Sequence, residues 1–323
     1  MLSFYQQILQ TLSQTSVIIA TVIKTQGSVP REIGAKMFIH PDGEICGTIG
    51  GGAGEAKVIR QALQIFQTRQ LQVEETDKKR VVEIDLSGAP NKEIQGICGG
   101  TMEVLLELWE GSWAIELVSQ VIQSMNSNNT VTLVTPLITS QKPYLITTEE
   151  TVSNLEKIAF IEKLTPPPTL LIIGAGHIAV PLAKIAKITG FEIIVQDDRI
   201  EYASQLRFPD AVNILSQPIE SIAEILEKHS NLYIALVTRG YLQDLDALRI
   251  ILNCQSKYQP KYIGMIGSRK RINTAFKVME NEGYSSDILQ NIHAPIGLEI
   301  GAIAPEEIAI SICAELIKIR RIG

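Results

Sequence analysis

The sequence lacks any apolar run approaching the roughly 18 residues that a membrane helix requires, so no membrane span is expected. It is also short of cysteine. Cys46, Cys98, Cys254 and Cys313 are too few and too scattered for a disulfide framework, and a reducing cytoplasm is the natural setting. No CxxC pair and no histidine cluster at zinc spacing occurs, so a structural zinc site is not expected. A basic excess is missing too. With 29 Lys and Arg against 35 Asp and Glu the net charge is −6 and the pI is near 5.4. That balance argues against a general nucleic-acid or anionic-membrane binder. No internal repeat or low-complexity tract stands out. The opening MLSFYQQILQTLSQ has neither the basic start nor the apolar centre of a secretory leader and reads as an amphipathic helix.

What is present is 323 residues, 45% apolar and 20% charged, enough for two domains with a core each. Thr165-Pro166-Pro167-Pro168 marks the boundary, because three prolines continue neither a helix nor a sheet interior. The chain therefore divides into 1–165 and 166–323. In the second part, strands at Leu170–Ile173, Phe191–Val195, Ala211–Leu215, Tyr233–Val237 and Tyr262–Ile266 alternate with helices. The helices are expected at His177–Thr189, Ile219–Glu227, Leu242–Leu252, Arg269–Glu282 and from Pro305 onward. This alternation predicts an α/β, Rossmann-like doubly wound parallel sheet. The first part mixes strands (Ser16–Lys24, Lys36–His40, Val81–Leu86, Thr101–Leu108) with helices (Glu55–Gln67, Ser112–Asn126). A hairpin-like pair follows at Thr130–Ile138 and Tyr144–Thr147. It predicts a smaller α+β domain.

The stretch LLIIGAGHIAVPLA, from Leu170, takes a buried run through two glycines into a helix. Gly174 permits a tight turn and Gly176 lets a phosphate approach backbone N–H groups at a helix start; Ala179 stands for the third glycine. Asp197 and Asp198 close the next strand, where a ribose-binding acid is expected. These features point to a nucleotide or NAD(P) at this loop, with a purely structural turn as the alternative. His177 reads equally as a phosphate donor or as a solvated or packing imidazole. A dehydrogenase also needs an acid–base group facing the nicotinamide, and His229 and His293 occupy no obvious catalytic setting, which weakens an NAD(P)-dependent oxidoreductase reading. Arg239 in VTRG, and Ser268, Arg269 and Lys270 in GMIGSRKR, follow the fourth and fifth strands. They are expected to converge with Gly174–Gly176 on an anionic ligand, unless they form a solvated basic helix start.

The first part carries GTIGGGAGE, from Gly47, with Gly50, Gly51 and Gly52 free to adopt positive φ. No Gly-Lys-Ser/Thr follows, so it is not a P-loop. Arg31, in GSVPR, is a bidentate anion donor beside a rigid turn. Gly96-Ile97-Cys98-Gly99-Gly100 offers either a thiolate for a metal or for persulfide chemistry, or a small buried residue at a strand entrance.

Together GSVPREIGAKMFIHPDG, GTIGGGAGE, CGGTMEVLLE, GAGHIAVPLAKIA, VQDDR, RFPDA, VTRG, YIGMIGSRKR and HAPIGLEIGAIAPEEIAISICAEL resemble the XdhC/CoxI family. These are accessory proteins of xanthine-dehydrogenase-type molybdenum hydroxylases. The resemblance implies a cytoplasmic, homodimeric chaperone that binds molybdenum cofactor (molybdopterin). It would protect the cofactor while a cysteine desulfurase supplies the terminal sulfur, then deliver it to the apo molybdenum hydroxylase. It carries the binding role to Arg31, Gly50, Gly51, Gly52, Cys98, Gly99 and Gly100, with Cys98 toward the metal. In the second domain it carries it to Gly174, Gly176, His177, Asp197, Asp198, Arg199, Ser268 and Arg269. The chain departs from many relatives at Ala53, where they have cysteine, and at Tyr241, where they have histidine.

Overall fold

The computed structural model describes residues 1–70, 78–86, 99–138, 140–146, 155, 158–254 and 259–322. The chain forms two compact units, Met1–Thr165 and Pro166–Gly323.

In the first unit, β1 (Val17–Gln26), β2 (Lys36–Ile39), β3 (Ile45–Gly47), β4 (Lys79–Asp85) and β5 (Thr101–Trp109) make one antiparallel sheet in the order β3-β2-β1-β5-β4. Alternation along β1 sorts its side chains between two cores. Ile18, Ala20 and Val22 face Val58, Ala62 and Ile65 of α2 (Gly52–Gln70). Val17 and Ile19 face α1 (Leu2–Leu12) and α3 (Gly111–Asn126). A second antiparallel sheet, β7-β6-β8, joins β6 (Val131–Pro136), β7 (Tyr144–Ile146) and β8 (Ala159–Leu164). The hairpin expected from sequence is the β6–β7 pair, and Thr147, its expected last residue, lies outside the described residues. Strand β3 is the second of the two strand-like runs that flank the turn expected at Pro41-Asp42-Gly43, whereas β8 carries no strong alternation and has no local sign in the sequence.

The second core holds charge as well as hydrocarbon. Lys79 Nζ lies 2.6 Å from Glu107 Oε1, with side chains 3% and 7% exposed. Lys79 also donates to the carbonyls of Pro136 and Gln141, and Trp109 Nε1 donates to Glu107 at 2.8 Å.

The second unit is a five-stranded parallel sheet in the order β11-β10-β9-β12-β13. Its strands are β9 (Thr169–Ile173), β10 (Glu192–Gln196), β11 (Asn213–Leu215), β12 (Leu232–Leu236) and β13 (Tyr262–Met265). The central strands are buried on both faces, so they read as unbroken apolar runs. Leu170 and Ile172 pack under α4 (Ala179–Ile188) and α9 (Pro305–Ile322). Leu171 and Ile173 pack with α5 (Ile222–Lys228), α6 (Tyr241–Cys254) and α7 (Arg269–Asn281), and the short α8 (Ser286–Gln290) closes this side. Helix α4 begins two residues later than its sequence suggests, leaving His177 in the loop. Pro181 falls in the first turn, where its missing N–H breaks no helical bond. Beyond β13, His293 bridges Gly264 in the parallel sense, and the amides of Met265, His293 and Ile296 bond across this edge.

Candidate functional site

In the first unit three loops meet. A Cβ on Gly50 would come within 2.4 Å of Pro30, and one on Gly100 within 2.4 Å of the Ser28 carbonyl. Gly27 in turn faces Gly99 and Gly100. The expected residues Arg31, Gly50, Gly51, Gly52, Gly99 and Gly100 are therefore gathered in one region. Cys98, which precedes Gly99 in the chain, lies outside the described residues. Arg31 is exposed, with no hydrogen-bond or ion-pair partner among the described residues.

Gly50, Gly51 and Gly52 have φ of +129°, +74° and +66°, three consecutive left-handed residues that only glycine tolerates. What holds them is Glu55, a residue that sequence alone gives no role. Glu55 Oε2, on the first turn of α2, accepts from Thr48 Oγ1 at 2.6 Å and from the amides of Ile49 and Gly51 at 3.1 and 3.2 Å. The Thr48 hydroxyl accepts from the amide of Gly50. The amides of Ile49 and Gly51 are thus occupied by the protein's own carboxylate and that of Gly99 by the Leu86 carbonyl, while at Gly51, Gly52 and Gly99 an added Cβ would meet nothing within 4 Å. Replacing Glu55 by alanine is expected to destabilise the unit by about 1–2 kcal/mol and to speed amide exchange at Ile49 and Gly51. Glu55→Gln, which keeps an acceptor, should lose less. Hydrogen exchange by NMR reads this directly, and unchanged exchange in the alanine variant would refute the assignment.

In the second unit the glycine loop sits between the carboxyl ends of β9 and β12, where the strand order reverses. Gly174 has φ +98°, and a Cβ there would lie 2.7 Å from the Val237 carbonyl oxygen. Gly176 has open space above it. The amides of Gly176 and His177 have no acceptor among the described residues. Arg207, in the RFPDA stretch, supports the loop by donating to the carbonyls of Ala175 and Gly176 at 2.6 and 3.4 Å. Sequence reasoning misses it, because nothing local marks a contact across 32 residues.

Asp197 is buried and fully engaged. Its Oδ2 accepts from the Ala175 amide and Arg199 Nη2, and its Oδ1 from the Arg199 amide and Nε, all within 3.0 Å. Burial opposes ionisation, but Arg199 and the two backbone amides outweigh it and hold the carboxyl well below the usual range. The Arg199 guanidinium lies 3.8 Å from the Tyr202 ring centroid. Asp198 is exposed and pairs bidentately with Arg239, both bonds at 3.0 Å.

Asp197, Asp198, Glu220, Thr238, Arg239 and Asp246 are among the residues lining a pocket of about 270 Å³ at these strand ends. Four carboxylates and one guanidinium make it acidic, unlike the basic cradle expected from sequence. Ser268 and Arg269 do not line it. Ser268 caps α7 by accepting from the Arg271 amide, and Arg269 is exposed on the first turn. The basic residue engaged inward is Arg271, paired at 2.6 Å with Asp244, which is fully buried and also accepts from Thr238 Oγ1. This network ties the β12–α6 turn to α7.

A second buried cluster joins β13 to α9. Glu315 of α9 accepts from Tyr262 Oη, from the Gly297 amide at 2.8 Å and pairs with His293 Nδ1 at 3.3 Å. Burial, then Glu315, pushes the Tyr262 hydroxyl far above its ordinary value.

Comparison with known proteins places these features in a family. Residues 170–316 match the model of the XdhC Rossmann domain, and residues 12–77 that of the XdhC and CoxI family. YqeB of Escherichia coli is 26% identical over 93% of this chain, although the chain spans only 43% of that protein. A Bacillus subtilis protein named as a probable xanthine dehydrogenase subunit is 27% identical, with 95% of this chain and 94% of that one aligned. "Molybdenum cofactor insertion chaperone PaoD" of Escherichia coli is 23% identical over 96% of this chain and 85% of its own. A crystal structure described as a xanthine dehydrogenase from Bacillus halodurans superposes with a TM-score of 0.80 at 27% identity, covering 98% of this chain and 96% of that one. The chain belongs to the XdhC and CoxI family, and its second unit is the family's Rossmann domain.

Proposed function

We propose that this protein is an accessory factor of a xanthine-dehydrogenase-type molybdenum enzyme. It binds molybdenum cofactor as cargo, protects it while a cysteine desulfurase provides the terminal sulfur, and delivers it to the apo-hydroxylase. It does so as a cytoplasmic homodimer. The observation that carries this reading is the meeting of glycines without side-chain cover, Gly51, Gly52 and Gly99, with Arg31, which is exposed and has no partner among the described residues. It occurs in a chain whose relatives include one named for molybdenum cofactor insertion.

The residues present suit the cargo. The Gly52 amide and the Arg31 guanidinium, neither with a partner among the described residues, complement a phosphate, whereas the amides of Gly51 and Gly99 are spent on Glu55 and the Leu86 carbonyl. The thiolate of Cys98, next to Gly99 in sequence, is a soft ligand suited to the molybdenum end. Glu55 fixes the loop rather than touching the cargo.

The test is to purify the full chain from a host that makes the cofactor, then assay released pterin by fluorescence and molybdenum by mass spectrometry. Both are expected near one per chain. Cys98→Ala should lose most of the molybdenum, and Arg31→Ala most of the pterin, each with a melting temperature within about 2 °C of wild type. Light scattering should give a dimer. Absence of pterin and molybdenum in every preparation, together with no rescue of hydroxylase activity in a deletion host, would sink the reading.

A further inference from the structure

Helices α4 and α9 end on the same pattern, two cations three residues apart and then isoleucine. In α4 it is Lys184, Lys187 and Ile188; in α9 it is Lys318, Arg321 and Ile322. Positions i, i+3 and i+4 share one face of a helix. All six residues are exposed, Ile188 by 85% and Ile322 by 80%. The two helix ends lie together, because Arg320 Nη1 donates to the Thr189 carbonyl at 2.9 Å and its guanidinium covers the Phe191 ring. Residues 179–191 and 316–322 hold five cations and no acid, in a chain whose net charge is −6. The next acid, Glu192, is half-buried at the start of β10. Capping does not account for the lysines. The carbonyls of Ile185, Ala186 and Lys187 already accept from the amides of Thr189, Phe191 and Gly190. Lys184, Lys187 and Lys318 have no hydrogen-bond or ion-pair partner among the described residues. A single exposed isoleucine is ordinary. Two of them, at paired helix ends ringed by cations, mark a contact surface.

We propose that this end of the Rossmann domain docks an acidic surface of the apo-hydroxylase, the isoleucines against its apolar centre and the lysines against carboxylates around it. The inference rests on the accessory reading, in which the chain must meet the enzyme that receives its cargo. Charge selects the kind of partner. A second copy related by a two-fold axis would set these cations against each other. An anionic membrane would also meet the net negative charge of the chain, and two isoleucines bury little hydrocarbon in a bilayer. An acidic protein surface answers both the charge and the hydrocarbon. Connectivity places the patch at the amino ends of the strands, because α4 follows the glycine loop at the carboxyl end of β9 and returns to the start of β10. A hydroxylase docked there leaves the glycine loop uncovered.

Biolayer interferometry of the full chain against purified apo-hydroxylase tests it. The wild type is expected to bind with a Kd of about 10 μM or tighter at about 50 mM salt, and roughly tenfold more weakly at about 500 mM. Two variants should each weaken binding at least about tenfold: Lys184→Gln with Lys187→Gln and Lys318→Gln, and separately Ile188→Ser with Ile322→Ser. Their melting temperatures should stay within about 2 °C of wild type, because the replaced side chains are exposed. Lys277→Gln, which removes an exposed cation of α7, should bind like wild type. The proposal is overturned if either patch variant binds as wild type does, or if Lys277→Gln weakens binding as much as the lysine variant. It is also overturned if the wild type binds vesicles of equimolar phosphatidylglycerol and phosphatidylcholine and the lysine variant does not. Light scattering that shows the isoleucine variant turning a dimer into a monomer would overturn it too, since the patch would then join two copies. Pterin retained without hydroxylase binding would overturn this proposal alone, and docking without pterin the cargo reading alone.

Discussion

Replacing Glu107 by alanine is expected to destabilise the first unit by about 3–5 kcal/mol, the usual effect of removing one partner from a buried ion pair. The Lys79 ammonium would remain with a side chain 3% exposed and no counter-charge at its former 2.6 Å. Trp109 Nε1 would lose its acceptor as well. In a unit of this size such a loss corresponds to a melting temperature lower by roughly 10 °C. Both tryptophans of the chain, Trp109 and Trp113, lie in this unit, so urea unfolding followed by tryptophan fluorescence reports it selectively. A double change, Glu107→Leu with Lys79→Met, should recover most of the stability, because the costly element is the orphaned charge and not the missing attraction. A loss below about 1 kcal/mol in the alanine variant would show that water reaches the pair.

Gly174→Ala is expected to cost the Rossmann domain about 2–5 kcal/mol. Two effects add. The residue has φ +98°, which penalises any L side chain by about 1–2 kcal/mol. The new methyl would also sit 2.7 Å from the Val237 oxygen and 2.9 Å from Thr238 Cα. These are backbone atoms between two central strands and cannot swing aside, so overpacking adds about 1–3 kcal/mol. Thermal melting followed by far-UV circular dichroism should show an early transition from the second unit with the first unaffected. Gly176→Ala, whose added Cβ meets nothing, should melt like wild type. Equal melting of both variants would contradict the packing argument.

Much of this architecture is legible in the chain. The parallel sheet announces itself through short apolar runs alternating with amphipathic helices, because both faces of such a sheet are covered. The glycine stretches are legible because positive φ and close backbone approach leave few alternatives to glycine, as Gly50 and Gly174 show. The directions of charged side chains are not legible. Lys79 stands in the charged run DKKR and reads as solvent-facing, yet its strand register turns it into the core opposite Glu107. Arg269 and Arg271 are two residues apart on α7; one is exposed and the other reaches buried Asp244, 27 positions away. Glu55 looks like a helix-start charge and is the keystone of its loop. The Tyr262–Glu315 contact spans 53 positions and has no local signature. In each case the decision belongs to a partner brought in by tertiary packing, which no window of sequence contains.

The covering of β13 by the segment around His293 has a consequence for how this domain meets other molecules. A parallel sheet normally leaves two rows of unpaired peptide groups that invite strand addition and, in unfolding stress, edge-to-edge aggregation. Here one border is taken up by the main-chain bonds of Met265, His293 and Ile296, and the exposed Pro295 within that segment has no N–H to offer. The opposite border, β11, is only three residues long. Neither margin offers a long template for β-augmentation. Contacts made by this domain, with a copy of itself or with a client, are therefore expected to be built from loop and helix side chains, leaving the hydrogen-bonding pattern of the sheet closed.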